Sequence, residues 1–290
     1  MTVLRSLLFI PGNRVDMLQK AASLRPDAFV PDMEDSVPDD EKAAAREVVK
    51  SFVAPLAQGG VRVIPRVNAL ETGLLEEDLA AVVGPHIYGV SVGKIYTPRD
   101  VDSITNMLVR LEQHAGVPTG QTKLLLWIET AMALVHCYEI CQASPRIVAV
   151  AFGGEDFTND MGIERSTDDS EVAVPRSLTC VAARAADVLA LDTPYFLFRD
   201  PEGLQQNALA SKKIGFKGKF AIHPSQISII NTTFSPSEAE VAQARRIVAA
   251  FEEAARSGRG STSLDGKVVD VPVVKRARAL LEVAESLVRA

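Results

Sequence analysis

The chain is predicted to fold as an α/β protein, a closed (β/α)8 TIM barrel with a C-terminal helical extension. Three observations carry this. Short apolar, β-branched runs recur eight times, stretches with 3.6-residue periodicity fill the gaps between them, and the alternation stops near residue 234, where longer amphipathic helices take over. Strictly alternating strands and helices give parallel strands joined by right-handed crossovers, and eight such units within 290 residues suit a closed barrel, with an open doubly wound sheet as runner-up.

The strands are expected at 4–10, 28–31, 61–67, 87–95, 123–128, 147–152, 194–198 and 219–222, each a run of apolar and β-branched residues too short for a globular helix. Helices are expected at 39–52, 74–83, 99–113, 131–142, 174–189 and 201–214, where apolar residues fall at i, i+3 and i+4. Lys20 lies in a further helix after the first strand. Pro31 sits inside the second strand, where its missing N–H marks an altered wall. After the eighth strand a Ser235/Ser237 cap region opens a long amphipathic helix, a Gly/Ser-rich segment follows, and a final helix covers 273–288. The expected domains are thus a catalytic barrel at 1–234 and a helical extension at 235–290. Residues 268–272 (VVDVP) are too apolar for a simple linker and are read as a docking segment.

Composition narrows the function classes. Hydrophobic residues make up 47% and charged residues 23%, ordinary for a soluble globular chain. A net charge of −6 argues against a nucleic-acid or anionic-membrane binder. Cys137, Cys141 and Cys180 show no paired zinc spacing, which fits a reducing compartment, and the apolar stretch at 7–11 is too short for a signal peptide or membrane span. A cytoplasmic protein is expected.

On a barrel the C-terminal strand ends ring one pocket, and here that ring is unusually polar: Pro11-Gly12-Asn13-Arg14, Asp32-Met33-Glu34-Asp35, Arg66-Val67-Asn68, Lys94, Glu129, Glu155-Asp156 and His223-Pro224. Glu129 and Asp156 each follow an apolar run, and the second sits beside Gly153 and Gly154, which let backbone approach a ligand. Several carboxylates around one mouth repel unless a cation compensates them, and an all-oxygen set selects Mg²⁺, or Mn²⁺, over zinc. Arg66 suits a substrate carboxylate or an enolate oxygen, with a structural ion pair as its plainer reading. Glu34 and Asp35 could instead favour the dipole of the helix that follows. Arg14 and Lys20 could hold phosphates or form a solvated helix face. The volume beside the metal, around Val67, Met33 and Gly153, is expected to set substrate choice.

The segments RSLLFIPGNRVDMLQKA, PDMEDSV with DDEKAAAR, RVIPRVN, the Glu129 strand, AFGGEDF, GFKGKFAIHPSQI and DGKVVDVP occur in this order. Together they resemble the citrate lyase β-subunit-like family of the HpcH/HpaI aldolase/citrate lyase superfamily, which includes malyl-CoA, citramalyl-CoA and citryl-CoA lyases. The resemblance implies a Mg²⁺-dependent barrel enzyme that breaks or forms a carbon–carbon bond between an acyl-CoA and a small 2-oxo acid. By position it implies Glu129 and Asp156 as metal ligands, Glu34 and Asp35 as acids holding metal-bound waters, and Arg66 at the reacting carbonyl. It also implies Lys94 as a pocket member, although Gly93 replaces the family's usual Pro before it. Arg14, Lys20 and His223 match CoA contacts, and Asp270 matches an acid/base group supplied to a neighbouring subunit, so a homo-oligomer, best a trimer, is expected. Two other readings stay open. One is a CoA-independent metal-dependent aldolase acting on pyruvate-like enolates, and the other is a non-catalytic subunit that binds an oxo acid or acyl carrier.

Overall fold

The computed structural model describes residues 2–166 and 168–289. Among them, nine strand segments form one parallel sheet: β1 (Ser6–Pro11), β2 (Ala28–Asp32), β3 (Arg62–Val63), β4 (Arg66–Val67), β5 (Gly89–Val92), β6 (Lys123–Ile128), β7 (Ile147–Phe152), β8 (Leu189–Asp192) and β9 (Gly218–Ala221). β1 pairs in parallel with β9 on one side and β2 on the other, which closes the sheet. β3 and β4 both pair with β2 and make one interrupted stave, so the barrel has the expected eight. Ile64 donates its N–H to Phe29 O (2.8 Å) and Met33 to Arg66 O (2.9 Å), whereas Pro31 and Pro65 between those bonds have no N–H to give. Pro31 therefore withdraws a donor from this ladder midway along the stave, while Pro65, whose carbonyl accepts from Ser91 N–H, lacks its N–H on the β5 side.

Helices cover the barrel: α1 (Val15–Ala21), α2 (Lys42–Ala57), α3 (Leu75–Val82), α4 (Pro98–Ala115), α5 (Ala131–Val135), α6 (Cys137–Gln142), α7 (Gly154–Met161), α8 (Ala173–Ala185) and α9 (Pro201–Ile214). The helix expected over 131–142 is broken at His136, whose backbone leaves the α region between α5 and α6. Cys137, Cys141 and Cys180 are buried and free.

The seventh stave differs from the expectation. Residues 194–198 form no strand, and Leu189–Asp192 pairs instead with β7 and β9. The aromatic run of 195–198 has strand propensity, but Phe196, Leu197 and Phe198 are exposed in a loop. The four-residue LALD segment meets the barrel's need by sending Leu191 inward to the core and Asp192 outward. There Asp192, wholly buried, accepts from Lys219 Nζ (2.5 Å), Arg176 Nη2 (2.9 Å) and Ser211 Oγ (2.6 Å).

Side chains alternate across each strand, and the inward set fills the barrel: Leu7, Val30, Ile64, Leu125, Trp127, Ala149, Ala151, Leu191 and Phe220. Phe9, Trp127 and Phe220 close this core at its upper end, with ring centroids 4.5–5.9 Å apart. The Trp127 indole donates to Ser91 Oγ at 2.8 Å, which satisfies its buried N–H.

Residues Leu4–Ile230 form one compact unit, and the chain from Asn231 onward, with the first residues, forms a second. α10 (Gln226–Phe234) runs across the boundary in sequence. In the second unit, α11 (Glu238–Arg256) opens on a Ser237/Glu240 capping box. The Gly/Ser-rich segment ends in a hairpin of β10 (Thr262–Leu264) and β11 (Lys267–Val269) before α12 (Val271–Arg289). Its Asp265-Gly266 turn has φ of 50° and 74°, the geometry an Asp-Gly pair favours between antiparallel strands.

Candidate metal and substrate site

The inward alternation of the barrel continues past the last ladder bonds and builds the mouth. Two residues beyond Val30 is Asp32, beyond Ile64 is Arg66, beyond Trp127 is Glu129, beyond Ala151 is Gly153, beyond Leu191 is Thr193, and beyond Phe220 is Ile222. All of these line a cavity of about 490 Å³, joined by Phe9, Pro11, Asp35, Ser36, Gly154, Glu155, Asp156, Pro194 and Phe196. Phe9 and Trp127 lie at the top of the aromatic core, so the cavity has an apolar floor beneath an acidic rim.

Asp32 organises one side. Its carboxylate accepts from the backbone N–H of Glu34 (2.9 Å) and Ser36 (3.2 Å), folding the turn that carries Glu34 and Asp35. It also accepts two bonds from Arg66, from Nε at 2.7 Å and Nη2 at 2.6 Å. Burial would push this carboxyl up, but the Arg66 charge and its hydrogen bonds outweigh that and hold it below the usual range. The remaining Arg66 nitrogen, Nη1, reaches Asp35 (3.0 Å) and Glu34 (3.2 Å), and the guanidinium lies over the Phe9 ring at 4.7 Å. Arg66 is thus the ion-pair member of its plainer reading.

Lys94 bridges to the other side. Its φ of 51° puts a non-glycine residue in the left-handed region and lets its N–H donate to Glu129 Oε1 at 2.5 Å. Its ammonium sits 3.1 Å from both Glu34 and Asp35. Thr130, directly after Glu129, caps α5 by accepting from Ala133 N–H. Asp156 stands in the first turn of α7, separated from the Gly153-Gly154 pair by Glu155.

The charges do not cancel. Asp32, Glu34, Asp35, Glu129 and Asp156 are five carboxylates facing two cations, Arg66 and Lys94, while Glu155, a sixth acid at the mouth, pairs with Arg165 at 3.1 Å. Glu129, only 3% exposed, is pushed up to about 8 by burial, then by the charges of Asp156 and Glu34. Burial also raises Glu34, and burial with the Asp35 charge raises Asp156. A Cβ at Gly153 would lie 2.6 Å from Glu129 Oε2, and one at Gly93 would lie 2.9 Å from Glu129 Oε1 and 3.0 Å from Glu34 Oε1. Glycine at both positions is what leaves room for the carboxylates.

These residues fit a hard divalent cation. The acids that face the cavity offer only oxygen, the excess negative charge is centred on Glu129, and two glycines keep its surroundings open. Among the described residues no three His, Cys, Asp or Glu side chains converge as a metal cluster. Two direct carboxylate ligands suit Mg²⁺, which keeps positions for water and substrate.

The other residues singled out from the sequence lie elsewhere. Arg14 is exposed and paired with Asp16 (3.0 Å), Lys20 is exposed, and neither lines the cavity. His223 is exposed, bonds Ser225 Oγ at 2.8 Å and stacks on Phe198 with centroids 5.1 Å apart. Asp270 belongs to the C-terminal unit, where its carboxylate accepts from Val273 N–H (3.2 Å) at the start of α12. Met33 and Val67, expected beside the metal, are fully buried and outside the lining, while Gly153 is in it. At both positions the alternation turns the side chain away from the barrel axis. Asp32 is on the expected ring without a role, and Gly93, Phe9 and Trp127 have none; the two-residue period from Leu7, Val30 and Leu125 leads to Phe9, Asp32 and Trp127.

Residues 5–224 match the family described as HpcH/HpaI aldolase/citrate lyase. The citrate lyase subunit beta of Escherichia coli K12 is 38% identical over 281 residues, spanning 97% of this chain and 93% of that protein. A (3S)-malyl-CoA thioesterase of Cereibacter sphaeroides is 34% identical, spanning 98% of this chain and 95% of its own length. The crystal structure of protein CitE from Mycobacterium tuberculosis in complex with magnesium, acetoacetate and coenzyme A superposes with a TM-score of 0.77 at 28% identity, covering 98% of this chain and 99% of that one.

Proposed function

The chain belongs to the HpcH/HpaI aldolase/citrate lyase family, a membership that makes it a lyase, and from it we propose Mg²⁺-dependent cleavage or formation of a 3-hydroxyacyl-CoA. The products of cleavage are an acyl-CoA and a 2-oxo acid. The observation that carries this reading is the uncompensated acid excess on Glu129, set above an apolar floor. Crystals of a relative that contain magnesium, acetoacetate and coenzyme A supply the ligand classes.

Glu129 and Asp156 would hold the ion, and Glu34 and Asp35 would hold its waters. When bound, Mg²⁺ supplies chelation of the acid's carboxylate and neighbouring oxygen, and so polarises the carbonyl. Arg66 keeps Nε and Nη2 on Asp32 while Nη1 turns from Glu34 and Asp35 to an oxygen of the thioester enolate. Lys94 holds Glu129 through its backbone and limits repulsion through its ammonium. Phe9, Trp127 and Phe196 exclude water from the carbon that carries the developing charge. Arg14, Lys20 and His223 are assigned to the CoA end. Asp270 is assigned to exchange the proton at the acyl α-carbon, supplied by another copy of the chain.

The test is a panel of malyl-, citramalyl- and citryl-CoA incubated with the full chain and Mg²⁺, reading acyl-CoA and 2-oxo acid together. Matched release of both, abolished by chelation of the metal, is the expected result. Free CoA without an oxo acid would mean thioester hydrolysis, the reaction in the Cereibacter protein's name. Cleavage of free hydroxy-oxo acids would favour the CoA-independent aldolase, and ligand binding without turnover would favour a binding subunit. In Asp270→Asn, α-proton exchange measured in deuterated water should be lost while Mg²⁺ binding is kept; unchanged exchange would remove Asp270 from the mechanism.

A further inference from the structure

Lys42 is buried where the rules of local structure place no cation. It is the first residue of α2 and heads the inward stripe continued by Ala45, Val49, Val53 and Leu56, a position that asks for an apolar side chain. A cation at a helix N-terminus also opposes the helix dipole, which favours acids there. The other lysine buried among the described residues, Lys219, has Asp192 as its counter-ion, whereas Lys42 forms an ion pair with no described carboxylate. Its ammonium donates instead to two main-chain carbonyls, Met33 O at 3.2 Å and Glu34 O at 2.7 Å. A buried charge without a counter-ion costs stability, and local rules broken together in this way mark a functional or strained site.

Those two carbonyls belong to the turn that carries the acidic rim. On its N–H side the turn is held by Asp32, which accepts from the amides of Glu34 and Ser36 and is itself fixed by Arg66. On its C=O side it is held by Lys42, with the Glu34 carbonyl accepting also from Val37 N–H at 3.0 Å. A carboxylate on β2 and an ammonium on α2 thus clamp the backbone of one turn from opposite sides. Because Lys42 bonds main-chain atoms, the carboxylate oxygens of Glu34 and Asp35 are left to the mouth, where they meet Arg66 and Lys94.

We propose that Lys42 is a positioning residue, which by fixing the carbonyls of residues 33 and 34 sets where the Glu34 and Asp35 carboxylates stand for the waters of a bound ion. The role rests on the reading of those two acids given above. Lys42 does not line the cavity and acts only through the turn.

Lys42→Met, which keeps the side chain's length and removes its charge, tests this, with Lys50→Met on the exposed side of the same helix as control. In the metal-free full chain, hydrogen exchange read by mass spectrometry should speed up over residues 33–37 and stay at the wild-type rate in the barrel strands. By calorimetry Lys42→Met should raise the Kd for Mg²⁺ about 10–100-fold, with turnover recovering as Mg²⁺ is added, and Lys50→Met should match the wild type. Lys42→Arg, which keeps the charge and the donors, should regain part of the lost affinity. If Lys42→Met does not fold, Lys42→Gln, which keeps a donor, should raise the Kd about tenfold. Folded Lys42 variants with wild-type Mg²⁺ affinity would overturn the proposal, as would exchange that speeds up throughout the barrel, the mark of a merely structural role. A wild type that binds no Mg²⁺ would overturn the metal reading itself, and the proposal with it.

Discussion

Two groups of buried charge, one at the barrel mouth and one behind β8 and β9, differ in how completely they are neutralised. Behind the strands, Asp192 meets Lys219, Arg176 and Ser211, all buried, while Asp169 takes a second bond from Arg176 at 3.2 Å. Burial alone would raise the Asp192 carboxyl, but the charges of Lys219 and Arg176 hold it below its usual range. At the mouth, Arg66 does the same for Asp32 only. Glu129, Glu34 and Asp156 are left raised. A closed ion network serves the fold, whereas an open acid excess costs folding stability and is the charge pattern the proposed cation would relieve.

The sharpest way to break this contrast is to neutralise one acid in each group. Glu129→Gln should lower kcat/KM by about 10³-fold and abolish Mg²⁺ binding by calorimetry, yet leave Tm unchanged or raised, because it removes buried repulsion. A fall of several degrees in Tm would show that Glu129 is structural. Asp192→Asn should do the reverse. Leaving Lys219 buried without its partner is expected to cost about 3–5 kcal/mol in urea unfolding, with a folded fraction that keeps the wild-type Mg²⁺ affinity.

A smaller effect is expected from Gly93→Ala, whose new methyl would press on both Glu129 and Glu34. Mg²⁺ affinity should fall about 10–100-fold with little change in Tm, and an unchanged affinity would mean the acids have room to move. The mildest probe is pH. A glutamate with the ordinary value of 4.5 loses its proton well before Glu129 does at about 8, so between those values the folded, metal-free chain holds an extra proton. Raising the pH across that window should destabilise the metal-free chain and should raise Mg²⁺ affinity by up to about tenfold per pH unit below 8. The stability slope should be reduced in Glu129→Gln, with the part that remains belonging to the raised carboxyls of Glu34 and Asp156.

The rim was legible because strand ends can be read from where an apolar run stops. Glu129, Arg66, Lys94, Glu34 and Asp35 all follow such runs, and the structure brings them together within hydrogen-bond reach of one another. Asp32 stands on the expected ring but without a role, because a strand expected over 28–31 stops one position short of it, whereas the ladder runs through Asp32 and Arg66 holds its carboxylate. The seventh stave was misplaced because YFLF has more strand propensity than LALD, and propensity says nothing about which segment finds partners on both sides.

The sequence alone determined the alternation of strands and helices, and through it the barrel, the polar rim and the family, because those depend on local periodicity and on the order of short motifs. Tertiary structure alone decided which acids share cations and which do not. It paired Asp32 with Arg66 and Asp192 with Lys219, residues 34 and 27 apart in sequence, and left Glu129 with a hydrogen bond but, among the described residues, no ion pair of its own. Net charge at a point is a sum over through-space neighbours, and barrel closure brings those neighbours together from distant segments of the chain.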